Sequence, residues 1–168
     1  MVLINNINEI REKVKTYNRD ITLIAATKTQ TSETVDEFVK VAPEFILGEN
    51  RVQELVSKYN PNYVWHMIGQ LQANKVKYII DKVDMIHSLD RLTLADEIEK
   101  QATKHNKVMN CLIEINMGAE ITKGGVEPTQ VKEFIEQLRS YAHINVKGLM
   151  AVLPNMDTTN LQNSIPAL

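Results

Sequence analysis

Apolar and polar positions follow two rhythms along this chain. Short runs that are apolar at nearly every position fall at 21–27, 45–50 ("FILGEN"), 63–69 ("YVWHMIG"), 85–90 ("MIHSLD"), 110–116 ("NCLIEIN") and 144–152 ("INVKGLMAV"). Between them, apolar residues recur three or four apart, as on one face of a helix. Ile4, Ile7, Ile10, Val14 and Tyr17 form one such stripe, and Val35, Phe38, Val39 and Ala42 another. Further stripes are Val52, Leu55, Val56 and Tyr59; Val76, Ile79 and Ile80; Leu94, Ile98 and Ala102; and Val131, Phe134, Ile135 and Leu138. Asn6 with Glu9 reads as a capping-box start, Ser32 as the cap of the second helix, and Pro128 as a first helical position.

Runs without polar alternation suit strands covered on both faces, and strands alternating with helices suit βαβ units around a parallel sheet. Two architectures satisfy this pattern. One is an open doubly wound sheet. The other is part of a TIM-type (β/α)₈ barrel, which usually takes about 250 residues. In either, ligands bind at the C-terminal ends of the strands. The runs end there in polar or small residues: Lys28, Gly48-Glu49-Asn50, Gly69-Gln70, Ser88-Leu89-Asp90, Glu114-Ile115-Asn116 and Met150.

Composition narrows the class. The 168 residues are 43% hydrophobic and 24% charged, enough for one core. A formal net charge of −2, from 19 basic and 21 acidic residues, gives no basic excess for nucleic acid. The single cysteine, Cys111, sits in an apolar run, so no disulfide framework forms and a reducing, cytoplasmic setting is expected. The opening "MVLINNINEIREK" predicts neither a signal peptide nor a membrane span.

Lys28 closes the first run and has two readings. It is a lysine whose stem covers apolar surface while its head reaches water, or an amine in a partly desolvated pocket, able to attack an aldehyde. Spacing does not choose between them. Asn50 and Gln53 occupy positions suited to capping or to ligand contact. His66 and His87 read as buried, hydrogen-bonded histidines, and no spacing suggests a metal site. "TKGG" at 122–125 reads as a flexible loop or an anion-binding loop.

"LIAATKTQ", "FILGENRVQEL", "VWHMIGQLQANK", "IHSLDRL", "CLIEINMGAEITKGG" and "VKGLMA" occur in this order. Together they resemble the pyridoxal phosphate homeostasis protein family, single-domain proteins built like the N-terminal barrel of alanine racemase, the type III fold of vitamin B6 proteins. The resemblance implies a (β/α)₈ barrel, here incomplete, with about six parallel strands and an N-terminal helix in residues 1–152, followed by an irregular tail at 153–168. It implies that Lys28 binds pyridoxal 5′-phosphate as a Schiff base, that Asn50 lies beside the cofactor, and that Lys123, in the loop matching the family's "S-K-S-G", takes part in handling it. Gln30 stands where relatives often carry a second lysine, and Gly124 where they carry serine. Relatives continue for about two more βα units, which hold the cofactor phosphate, so the chain reads as C-terminally truncated.

The function implied is binding and homeostasis of the cofactor without turnover, in a monomer that neither binds nucleic acid nor enters a membrane. Open barrel edges would favour association. Loss of the phosphate site predicts weak binding with little preference for pyridoxal 5′-phosphate over pyridoxal. Two rivals remain at this point: a racemase-type enzyme using Lys28 as a base, and a chain that no longer binds the cofactor.

Overall fold

A computed structural model describes residues 2–17, 19–117 and 124–152. The predicted tail at 153–168 therefore lies outside the described residues. Six strands form one sheet: β1 (Ile24–Ala26), β2 (Ile46–Glu49), β3 (Trp65–Met67), β4 (Met85–Leu89), β5 (Met109–Ile115) and β6 (Ile144–Ala151). Every pairing is parallel, and the order is β1-β2-β3-β4-β5-β6. A doubly wound sheet would reverse direction midway. The unbroken order instead makes this a six-stranded portion of a TIM-type barrel, as the resemblance implied.

Five α-helices accompany the strands: α1 (Val2–Lys15), α2 (Ser32–Val41), α3 (Val52–Lys58), α4 (Leu92–Lys104) and α5 (Val131–Leu138). Their apolar stripes meet alternate residues of the strands. Leu47, Trp65, Met67, Ile86, Met109, Cys111 and Ile113 pack in one core with Val35, Leu55, Leu94, Ile98 and Phe134. Burying each of the larger side chains contributes about 1.5–3 kcal/mol. Cys111 lies inside this layer, where desolvation pushes its thiol up to about 12.

The other alternation faces inward. In β5, Asn110, Leu112 and Glu114 are half-buried between fully buried neighbours. A Cβ on Gly48 would come 2.7 Å from Ile24 and 2.8 Å from Ile68, so side chains of β1 and of the residue just past β3 converge over β2. Glycine admits that curvature because it adds no bulk to the inner face.

Four local expectations need correction. Helix α1 starts at Val2, upstream of Asn6, so Asn6 and Glu9 frame no helix start. Of its stripe, Ile7 is buried while Ile4 and Ile10 stay largely exposed. Thr31, not Ser32, caps α2: its backbone is extended, and its side chain accepts from the Thr34 N–H. The Val76 stripe forms a 3₁₀ helix (Ala73–Tyr78) rather than an α-helix, although Val76, Ile79 and Ile80 are fully buried. Bonds spanning three residues, such as Lys75 N–H to Gln72 O at 2.9 Å, tighten this short connection between β3 and β4. Pro128 opens a 3₁₀ turn (Pro128–Gln130) that leads into α5, so the predicted first helical position holds for the turn alone.

Candidate functional site

Strand register determines which inward residues share a level. Ala26 pairs with Gly48, Gly48 with His66, and His66 with Met85. The residues that follow on the same side toward the C-terminal rim are Asn50, Ile68 and His87, and Lys28 lies on the turn just past the end of β1. Lys28 and Asn50, both expected from the sequence, follow the ends of the adjacent, paired strands β1 and β2. Lys123 lies outside the described residues.

Lys28 is exposed, and no hydrogen bond or ion pair joins it to another described residue. Its backbone is firmly held. The Thr27 N–H donates to Gly48 O at 2.9 Å, and the Thr27 hydroxyl donates to Glu49 Oε1 at 2.8 Å. Lys58 Nζ, buried on α3, donates to Thr27 O at 2.9 Å and pairs with the fully buried Glu49 carboxylate. Thr29 turns the chain with φ of 65°, and its N–H donates to Glu54 Oε2 at 2.9 Å. That N–H, more than the nearby Lys58 charge, holds the Glu54 carboxyl below its ordinary range. Glu49 Oε2 also accepts from the Asn50 N–H at 3.0 Å, so one carboxylate ties both strand ends together.

Of the two readings of Asn50 and Gln53, capping is not realised at α3. Arg51 occupies the N-cap of α3 and makes no side-chain capping bond. Asn50 is pinned from the other side by Gly69, where a Cβ would lie 2.4 Å from Asn50 O. Backbone cannot yield as a flexible side chain does. Gly69→Ala should therefore displace the Asn50 strand end and cost about 1–3 kcal/mol, read as a lower denaturant midpoint.

His66 and His87 are buried as expected, but against each other. Nδ1 of His66 lies 2.9 Å from Nε2 of His87. Burial, reinforced by the His66 charge, pulls His87 down to about 4. Burial also lowers His66, opposed by the Asp84 carboxylate. The pair is neutral at physiological pH, one ring donating and the other accepting.

Toward the rim of β5, Glu114 Oε2 is buried and has no hydrogen-bond partner among the described residues. Burial first, and the Asp90 charge second, push its carboxyl above the ordinary range. Gly124 and Gly125, the described half of "TKGG", fold against this rim. Gly125 has φ of +117° and packs against the Ile115–Asn116 backbone, while a Cβ on Gly124 would meet Gln70 and Asp90. Left-handed backbone and close approach both require glycine at 125.

Sequence reasoning missed three features. Lys58 sits three residues after Leu55, so its place within the α3 stripe was a readable signal. The Glu49–Lys58 pair and the His66–His87 pair join separate elements, and no local spacing reports them. Among the described residues, no three His, Cys, Asp or Glu side chains are grouped to hold a metal, and no helix is long and apolar enough to cross a membrane.

Comparison with known proteins sets this rim in a family. Residues 2–166 match the family model described as alanine racemase, N-terminal domain. The pyridoxal phosphate homeostasis protein of Aquifex aeolicus (strain VF5) is 48% identical over 139 residues, covering 80% of this chain and 60% of that protein. The protein of the same name from Helicobacter pylori (strain ATCC 700392 / 26695) is 33% identical, over 87% of this chain and 69% of its own length. The chain thus spans about three fifths of the first relative's length and about two thirds of the second's. In fold it is similar to PipY of Synechococcus elongatus PCC7942, solved with PLP bound: TM-score 0.82 at 23% identity, covering 96% of this chain and 76% of that one. With the family model matched over nearly its whole length, the chain belongs to the pyridoxal phosphate homeostasis protein family, whose barrel is that of the alanine racemase N-terminal domain.

Proposed function

We propose that this chain binds pyridoxal 5′-phosphate and serves intracellular vitamin B6 homeostasis by holding the cofactor rather than turning over a substrate. The observation that carries the reading is Lys28: an exposed amine just past the end of β1, without a partner among the described residues, on a turn fixed by polar groups of β2 and α3. The names of the curated relatives and the PLP-bound PipY structure support the same ligand.

The residues present fit the group. An aldehyde needs an accessible amine, which Lys28 supplies. Asn50, past the end of the adjacent strand β2, carries amide donors and an acceptor. Glu114, toward the rim end of β5, offers a buried oxygen without a partner among the described residues. We assign Lys28 as the Schiff-base residue, Asn50 as a cofactor neighbour, and Lys123 as a further contributor on the strength of the loop motif alone. When bound, the cofactor supplies an electrophilic aldehyde on an electron-withdrawing ring. This chain's part is to hold the Lys28 amine in place and to present the rim.

Borohydride reduction of the mixed protein and cofactor, followed by peptide mapping, tests the assignment. The label is expected on Lys28. A label on Lys75 or Lys123, with Lys28 clean, overturns it.

A further inference from the structure

We propose that Glu54, together with Lys58, is a positioning residue for the cofactor-binding lysine: α3 sets where Lys28 stands. This inference rests on Lys28 being the Schiff-base residue. The tripeptide Thr27-Lys28-Thr29 lies beyond the end of β1, and past the Thr27 N–H, which still donates to Gly48 O, regular strand pairing stops. Three side chains beyond β1 hold it. Lys58 Nζ donates to Thr27 O, Glu49 accepts from the Thr27 hydroxyl, and Glu54 accepts from the Thr29 N–H. Lys58 also lies 3.6 Å from Glu54, so one ammonium links both carboxylates.

The arrangement is costly for a purely structural tie. Thr29 adopts the left-handed region, disfavoured by about 1–2 kcal/mol for a residue with a Cβ. Lys58 and Glu49 are almost wholly withdrawn from water, and buried ion pairs of this kind add little stability over apolar residues of equal size. What the network fixes is direction. The two flanking peptides are clamped, while the Lys28 side chain between them is left unbonded. A lysine so held keeps its amine at one place over the rim and loses less freedom when it bonds an aldehyde.

Glu54 is the residue to change, because it is partly exposed and its loss leaves the Glu49–Lys58 pair intact. Full-length wild type, Glu54→Ala and Glu54→Gln are compared in two ways: amide hydrogen exchange at Thr29 without cofactor, and titration with pyridoxal 5′-phosphate followed by Schiff-base absorbance. Alanine removes the acceptor, so Thr29 should exchange faster and binding should weaken about tenfold, the scale of one hydrogen bond to a charged group. Glutamine retains an oxygen acceptor and should recover binding to within about twofold of wild type. Wild-type affinity in Glu54→Ala overturns the inference while leaving the Lys28 assignment standing, as does a loss in Glu54→Gln equal to that in alanine. Absence of a Lys28 adduct in wild type removes both.

Discussion

Lys28→Ala abolishes the Schiff-base absorbance formed with pyridoxal 5′-phosphate and leaves the far-UV circular dichroism and unfolding midpoint unchanged. That is the expected result, because function and stability separate cleanly at this residue. The side chain is exposed and bonds no described group, so alanine creates no cavity and orphans no partner. The groups that hold the turn belong to the Thr27 and Thr29 backbone and the Thr27 hydroxyl, which survive the substitution. Absorbance and unfolding curves on the same samples check both halves. Retained absorbance in the variant would transfer the role to another lysine.

The second large effect is on acid stability. The unfolding free energy should fall as pH drops from about 6.5 to about 4. His87 has its folded pKa depressed from 6.5 to about 4, mainly by burial. In that window the unfolded chain takes up a proton that the folded chain refuses. More protons are bound in the unfolded state, so stability rises with pH and is lost on acidification. At about 1.4 kcal/mol per unit, the His87 contribution is on the order of 3 kcal/mol. His66, also depressed by burial, acts in the same direction. Glu114 acts oppositely. Its raised folded pKa gives stability that is fully present below the unfolded value of 4.5 and is lost as pH rises through the folded one. Urea unfolding at a series of pH values reads the net slope. His87→Gln should flatten it, and Glu114→Gln should steepen it. A wild-type stability independent of pH over this window would contradict the buried neutral pair.

Much of this fold was legible in the sequence because both sides of the sheet demand strong patterns. The six apolar runs and the stripes on α2, α4 and α5 mark buried faces, and burial is what periodicity reports. Sheet order was not in the pattern. Periodicity left the barrel and the doubly wound sheet equally open, and only the family resemblance favoured the barrel. Strand-end position singled out Lys28 and Asn50, because such folds bind ligands there, and the family resemblance alone supplied the roles proposed for them. The rest was hidden for identifiable reasons. The first turn of α1 carries no acidic residue to announce it. The 3₁₀ helix after β3 buries the same residues an α-helix would, so its pattern is the same. His66 and His87 are 21 positions apart and meet only after β3 and β4 pair.

The sequential sheet order also bears on how the molecule assembles and opens. Each strand lies beside its neighbour in sequence, so closing each pairing spans a single crossover and no intervening strand, and growth from one nucleus can proceed unit by unit. The β5–β6 ladder is paired along seven residues; β3 joins β4 along two but is also paired to β2, whereas among the described residues β1 pairs with β2 alone, along three. Local opening should therefore begin at β1, with amide exchange slowest on β5. The turn carrying Lys28 hangs from that weakest strand. A ligand captured there ties down the least protected part of the sheet, and by mass action its occupancy should close the opening that β1 alone permits.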